Sequence, residues 1–102
     1  VQVSPACTHP GLTRKRQGGD PDEPGRYRPK KVVTFCRVCP HDDTQGPLAA
    51  KFVAADLKAK SAFVLDDGEL YGAGVAGAFA AGCKAAGVEV LGRETIKVFA
   101  MD

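Results

Sequence analysis

The stretch from Ser61 to Gly92 constrains the fold more than any other part of the chain. "SAFVLDD" is a short apolar run ending in acids, the pattern of a buried parallel strand. A helix is expected next, over about Gly74 to Ala86, with Val75, Phe79, Cys83 and Ala86 on its apolar stripe and Gly87 placed to end it. "VEVLG" then reads as another strand. Upstream, "KKVVTFCRV" (Lys30 to Val38) is β-branched and aromatic, as strands are. A helix should follow, capped by Asp43 or Thr44, with Pro47 in its first turn, and running to about Lys58. Its inward face is expected to carry Ala49, Phe52, Val53 and Leu57. Val1 to Val3 read as the end of a strand stopped by Ser4-Pro5. Strand, helix, strand, helix, strand at this spacing predicts an α/β fold of right-handed βαβ units on a parallel sheet. Ligand sites in such sheets lie beyond the carboxyl ends of the strands, which puts Asp66 to Tyr71 where function is expected.

Composition narrows the class. A chain of 102 residues suffices for one small domain with one core and is expected to be too short for two. No apolar run approaches the ~18 residues that would cross a bilayer, because glycine or charge interrupts each candidate. A net charge of +2 is too mild to imply a nucleic-acid partner. The chain starts at Val1 with no signal peptide and stops at Met101-Asp102 without a helical or polar tail, so both ends are expected to be cut from something longer. Four cysteines at irregular spacing (Cys7, Cys36, Cys39 and Cys83) suit small buried hydrophobes better than a disulfide scaffold.

Three motifs invite a chemical reading. Gly72-x-Gly74-x-x-Gly77 has the glycine spacing of a dinucleotide site, where the first glycine turns the chain straight after a strand. Here six residues, three of them acidic (Asp66, Asp67 and Glu69), separate Leu65 from Gly72 and would repel a pyrophosphate. Glycines that let a helix pack close on a sheet explain the pattern better. Cys36-x-x-Cys39 with His41 nearby suggests redox or zinc chemistry. Cys36 falls inside a predicted strand, however, and no second ligand pair is present. His9 and His41 read as solvated loop residues. Seven of the fourteen basic residues lie between Arg14 and Lys31, interleaved with Asp20, Asp22 and Glu23. With only Tyr27 available for stacking, a solvated loop is expected there rather than a nucleic-acid patch. No nucleophile, base and orienting group assemble in the sequence, so the chain is not read as an enzyme, and no cofactor or metal is implied.

Three stretches in order carry a family resemblance. "VQVSPACTHPGLT", "TFCRVCPHDDTQGPLAAKFV" and "AFVLDDGELYGAGVAGAFAAGCKAAGVEVLGRETI" resemble solute-binding proteins of branched-chain amino-acid ABC transporters. In that family they correspond to the segment closing the first lobe's binding edge, the crossing into the second lobe, and the second lobe's first strand, Tyr-Gly loop, helix and next strand. The likeness spans about residues 1 to 96, interrupted by the Pro/Gly-rich loop. Cys36 departs from it, standing where an aromatic residue is usual, and so does "IKVFAMD".

The resemblance implies a fragment of a two-lobed periplasmic-binding-protein fold. Residues 1–38 would end the first lobe, with the Pro/Gly-rich loop at about 9–31. Residues 39–43 would cross between lobes, and 44–102 would begin the second. It implies an extracytoplasmic receptor that closes on an amino acid and delivers it to a membrane permease driven by an ATPase, with no nucleic acid involved. The Ser-Pro-Ala-x-Thr stretch maps solute contacts onto the Ala6 carbonyl and the Thr8 hydroxyl, and the Tyr-Gly loop maps one onto Tyr71. A ligand-sensing domain of a signalling receptor is the alternative reading, followed by a nucleotide-binding enzyme fragment using the glycine stretch.

Overall fold

The computed structural model describes residues 1–16 and 19–97. The expected break of pattern at "IKVFAMD" lies mostly outside them. The chain divides into two compact units, Val1–His41 and Asp42–Asp102, where its length suggested a single domain with one core.

In the first unit, strand β1 (Gln2–Ser4) pairs in parallel with β2 (Phe35–Arg37), with Ser4 opposite Arg37. The strand expected from Lys30 therefore shrinks to three residues. Pro29–Lys31 instead form a 3-10 turn in which Lys30 and Lys31 take φ values of 51° and 64°, which no strand can accommodate. Short 3-10 turns at Pro10–Leu12 and Gly25–Tyr27 shape the intervening loop.

The second unit holds helix α1 (Asp42–Ala55), strand β3 (Ser61–Asp66), helix α2 (Leu70–Ala86) and strand β4 (Glu89–Thr95). β3 and β4 run parallel, so β3–α2–β4 is the βαβ unit that the spacing predicts. β2 belongs to the other sheet, and α1 therefore does not join two strands of one sheet. The ladder skips Leu91, so that Phe63 lies opposite Gly92. A Cβ at Gly92 would come within 2.6 Å of the Phe63 ring, which accounts for glycine at this irregularity.

Helix α1 packs on α2 through small residues. A Cβ added at Gly46 would sit 2.5 Å from the backbone of Ala78 and Phe79, and one at Gly82 would sit 2.8 Å from Pro47. Side chains of zero or one carbon thus bring the two helices together. Ala50, Cys83 and Val88 form the buried centre, with Val53, Ala54, Ala62, Phe79 and Val90 around it. This corrects the expected face of α1: Val53 points inward, but Ala50 and Ala54 replace Ala49, Phe52 and Leu57, which are exposed. The helix also starts earlier and ends earlier than expected, with Pro47 in its second turn and Lys58 at a positive φ beyond its end.

β3 buries Val64 and Asp66 on one face and leaves Phe63 and Leu65 more than half exposed on the other. It is therefore not the strand covered on both sides that its composition suggested. Gly87 ends α2 in the left-handed conformation at φ 76°, as expected.

Candidate functional site

The carboxyl ends of β3 and β4 are closed by a polar knot centred on Asp66, whose side chain is 2% exposed. Arg93 of β4 donates from Nε to Oδ2 at 2.7 Å. The Gly68 N–H and the Thr95 hydroxyl donate to Oδ1 at 2.9 and 3.1 Å. The Arg93 guanidinium holds the Asp66 carboxyl below the ordinary carboxylate range; burial opposes it, and the Gly68 and Thr95 donors add to it. Arg93 also donates to the Ala73 carbonyl at 3.0 Å, tying the sheet to α2.

Only Asp67, Gly68 and Glu69 separate β3 from α2, so Tyr71 sits in the helix's first turn rather than in a loop. Gly68 supplies the turn at φ 74°, and Asp67 accepts from the Glu69 N–H at 3.0 Å. Both aspartates are therefore engaged in shaping the turn. Tyr71 is 57% exposed and borders an open apolar groove with Phe63, Leu65, Val75, Phe79 and Ile96.

The glycine motif lies wholly inside α2. A Cβ at Gly72 would strike the Asp67 carboxylate, so this glycine makes room for an acid over the helix N-terminus, where it is favoured. Gly74 faces Asp42 and Gly77 faces Arg93, each with space for a methyl group. Close helix–sheet packing is thus not what these three glycines serve; Gly46 and Gly82 provide the close approach, between the helices. No glycine of the motif turns the chain from strand to helix, as a pyrophosphate site requires.

In the first unit, Ser4 and Arg37 hold the segment that carries Ala6 and Thr8. Ser4 Oγ accepts from the Ala6 and Cys7 N–H groups at 3.3 and 3.0 Å. Arg37 donates to the Cys7 carbonyl and the His9 carbonyl, each at 3.0 Å, and to Thr13 Oγ1 at 2.9 Å. The two residues are ladder partners, so one β-bridge positions the backbone on both sides of Thr8. Thr8 is half-buried, and no hydrogen bond among the described residues engages its hydroxyl or the Ala6 carbonyl. Sequence reasoning missed both positioning residues. A serine two residues before a proposed contact was the available signal, whereas Arg37 can be recognised only once the ladder register is known.

The loop from about 9 to 31 is not simply solvated. Glu23 is buried, and its Oε1 meets His9 Nε2 and the Tyr27 hydroxyl, each at 3.0 Å. His9 holds Glu23 below its ordinary value against the effect of burial, and Tyr27 assists; Glu23 in turn pushes the Tyr27 hydroxyl up. Gly11 is required beneath this cluster, because a Cβ there would collide with Glu23 and His9. His9 is therefore a partner of Glu23 rather than a solvated residue, and His41 too is half-buried. Cys36 lies on β2 as expected, and Cys7 and Cys36 are exposed, so only Cys83 meets the expectation of a fully buried cysteine.

No family model matches the chain. It is 30% identical over 79 residues to a Leu/Ile/Val-binding protein of Rhizobium johnstonii, a match covering 78% of this chain and 17% of that protein. An amino acid binding protein of Pseudomonas aeruginosa is likewise 30% identical over 78 residues, covering 76% and 17%. The fold matches an ABC transporter substrate-binding protein from Desulfitobacterium hafniense with a TM-score of 0.67 at 22% identity, over 92% of this chain and 23% of that one. The chain thus spans 17% of the length of the curated relatives it matches. The α/β fold with parallel strands corresponds to a fragment of a periplasmic-binding-protein fold. The resemblance carried by the three sequence stretches is met in these comparisons: over most of its length the chain is similar to one segment of amino-acid-binding proteins of the Leu/Ile/Val-binding type.

Proposed function

We propose that this chain is part of the extracytoplasmic solute-binding component of an ABC transporter for a branched-chain amino acid, in which residues 1–38 end one lobe, 39–43 cross between lobes and 44–102 begin the other. One observation carries the reading. Around Thr8, Ser4 and Arg37 engage the N–H groups of Ala6 and Cys7 and the carbonyls of Cys7 and His9, while among the described residues nothing bonds the Ala6 carbonyl or the Thr8 hydroxyl. A zwitterion needs an acceptor for its ammonium and a donor for its carboxylate, and these two groups supply one of each. Tyr71 adds a ring with an apolar face and a polar tip, suited to a neutral solute.

In this reading the protein delivers its solute to a membrane permease and performs no chemistry on it. The chain carries few of the groups that would enclose a solute. Immobilising a small molecule costs several kcal/mol before any contact shows a net gain. Calorimetry with leucine, isoleucine and valine is therefore expected to show binding no tighter than about millimolar for this chain, and micromolar or tighter for a full-length protein carrying it. Absence of amino-acid binding by that full-length protein would refute the reading.

A further inference from the structure

Charge is divided unevenly along the chain. Residues 1–41 hold eight basic side chains against three acidic ones, and residues 42–102 hold six against nine. Within the first unit the acids are largely occupied. Asp20 pairs with Arg26, and Glu23 is buried between His9 and Tyr27. Lys15, Arg16, Lys30 and Lys31 are exposed. Arg28 Nη2 donates to the Thr13 carbonyl at 2.9 Å, so the segment that leads to Lys15 and Arg16 lies within one arginine's reach of the segment that leads to Lys30 and Lys31. Val32 and Val33 follow directly, 57% and 60% exposed. Lys30 and Lys31 are held in a left-handed backbone conformation that L side chains seldom adopt, immediately before this apolar pair.

We propose that this surface of the first unit binds anionic phospholipid, with the four cations on headgroup phosphates and Val32–Val33 entering the interfacial layer. Clustered lysines beside exposed apolar side chains suit a membrane surface, where charge attraction and shallow apolar insertion add. A nucleic acid fits less well, because stacking rings are needed and both aromatic residues here are engaged: Tyr27 bonds Glu23, and Phe35 lies 5.5 Å from the Arg37 guanidinium. The inference stands independently of solute binding.

Sedimentation with phosphatidylcholine vesicles, with and without about 30% phosphatidylglycerol, tests it. Binding is expected only with phosphatidylglycerol, weakening at least about tenfold in ~0.5 M salt as screening predicts. Lys30→Gly with Lys31→Gly suits the left-handed backbone and removes two charges, and it should weaken binding about thirty-fold. Lys15→Ala with Arg16→Ala serves as a second pair if that variant folds poorly. Val32→Ser with Val33→Ser should weaken vesicle binding while leaving retention on heparin unchanged. No binding to phosphatidylglycerol vesicles, indifference to both cation pairs, or equally tight binding to duplex DNA at the same salt would overturn the proposal.

Discussion

Arg93 reaches across from β4 to place its Nε 2.7 Å from Asp66 Oδ2, so the carboxyl end of one strand is clamped by the side chain of its neighbour. The same guanidinium holds the Ala73 carbonyl of α2, making this pair the junction of sheet and helix. Asp66 is held below its ordinary value, so its contribution to stability is present above that value and lost as pH falls through the depressed one. Thermal melts across the acid range should show the second unit losing stability below about pH 4. Asp66→Asn is expected to lower stability at neutral pH and to flatten this acid dependence. A variant that melts like the parent at every pH would remove Asp66 from that role.

The two sets of glycines predict opposite responses. Gly46→Ala forces a methyl group against the backbone of Ala78 and Phe79 and should destabilise by about 1–3 kcal/mol through overpacking. Gly77→Ala places a methyl group at ordinary contact distance, 3.5 Å from the Arg93 guanidinium, and in a helix interior it should stabilise by roughly 0.5–1 kcal/mol. Denaturant titration of both variants checks the pair. Greater damage from Gly77→Ala would restore a special role for the motif.

Helical glycines also bear on nucleotide binding. Gly72, Gly74 and Gly77 all lie within α2, and Asp67 occupies the space over the start of the helix where a phosphate would sit. Calorimetry at low salt is expected to show no binding of NAD or ATP tighter than about 100 μM. Tighter binding would contradict the acidic turn.

The parts of the fold that were legible in the sequence are those set by local pattern. β3, α2 and β4 follow from apolar runs, helical spacing and the Gly87 stop, all of which act over a few residues. What was not legible depends on tertiary context. Phe52 and Leu57 have the right spacing for the core, yet Gly46 and Gly82 draw the helices together along a different face and leave both exposed. Lys30 to Val33 look like strand by composition, but β1 offers only three residues to pair with and two lysines turn left-handed. At the candidate site, Ala6, Thr8 and Tyr71 came from family resemblance. Ser4 and Arg37 required the ladder register, which composition does not supply.

The His9–Glu23–Tyr27 cluster gives a spectroscopic prediction. Glu23 raises the Tyr27 hydroxyl above its ordinary value by accepting its proton in a hydrogen bond. Following tyrosinate absorbance in a Tyr71→Phe background isolates Tyr27, whose titration should lie above pH ~10. Glu23→Gln should move it back toward that value. An unchanged titration would separate Tyr27 from Glu23 in solution.

Tyr71 tests the proposed solute contact most directly, because its surroundings separate two possible roles. The ring is more than half exposed at the start of α2, and the bonds that close the neighbouring turn come from Asp66, Asp67, Gly68 and Glu69 rather than from its hydroxyl. Removing the ring should therefore cost little folding stability, within about 0.5 kcal/mol for a surface change. In a full-length protein carrying this segment, Tyr71→Ala should weaken leucine binding by roughly 1–3 kcal/mol through lost apolar contact. Tyr71→Phe should retain most of the affinity if the apolar face supplies the contact, and lose as much as alanine if the hydroxyl does. Paired calorimetry and thermal melts on the three proteins distinguish these outcomes. Unchanged affinity in Tyr71→Ala would exclude the residue from the binding site, whereas a fall in melting temperature matching the loss of affinity would make its role structural.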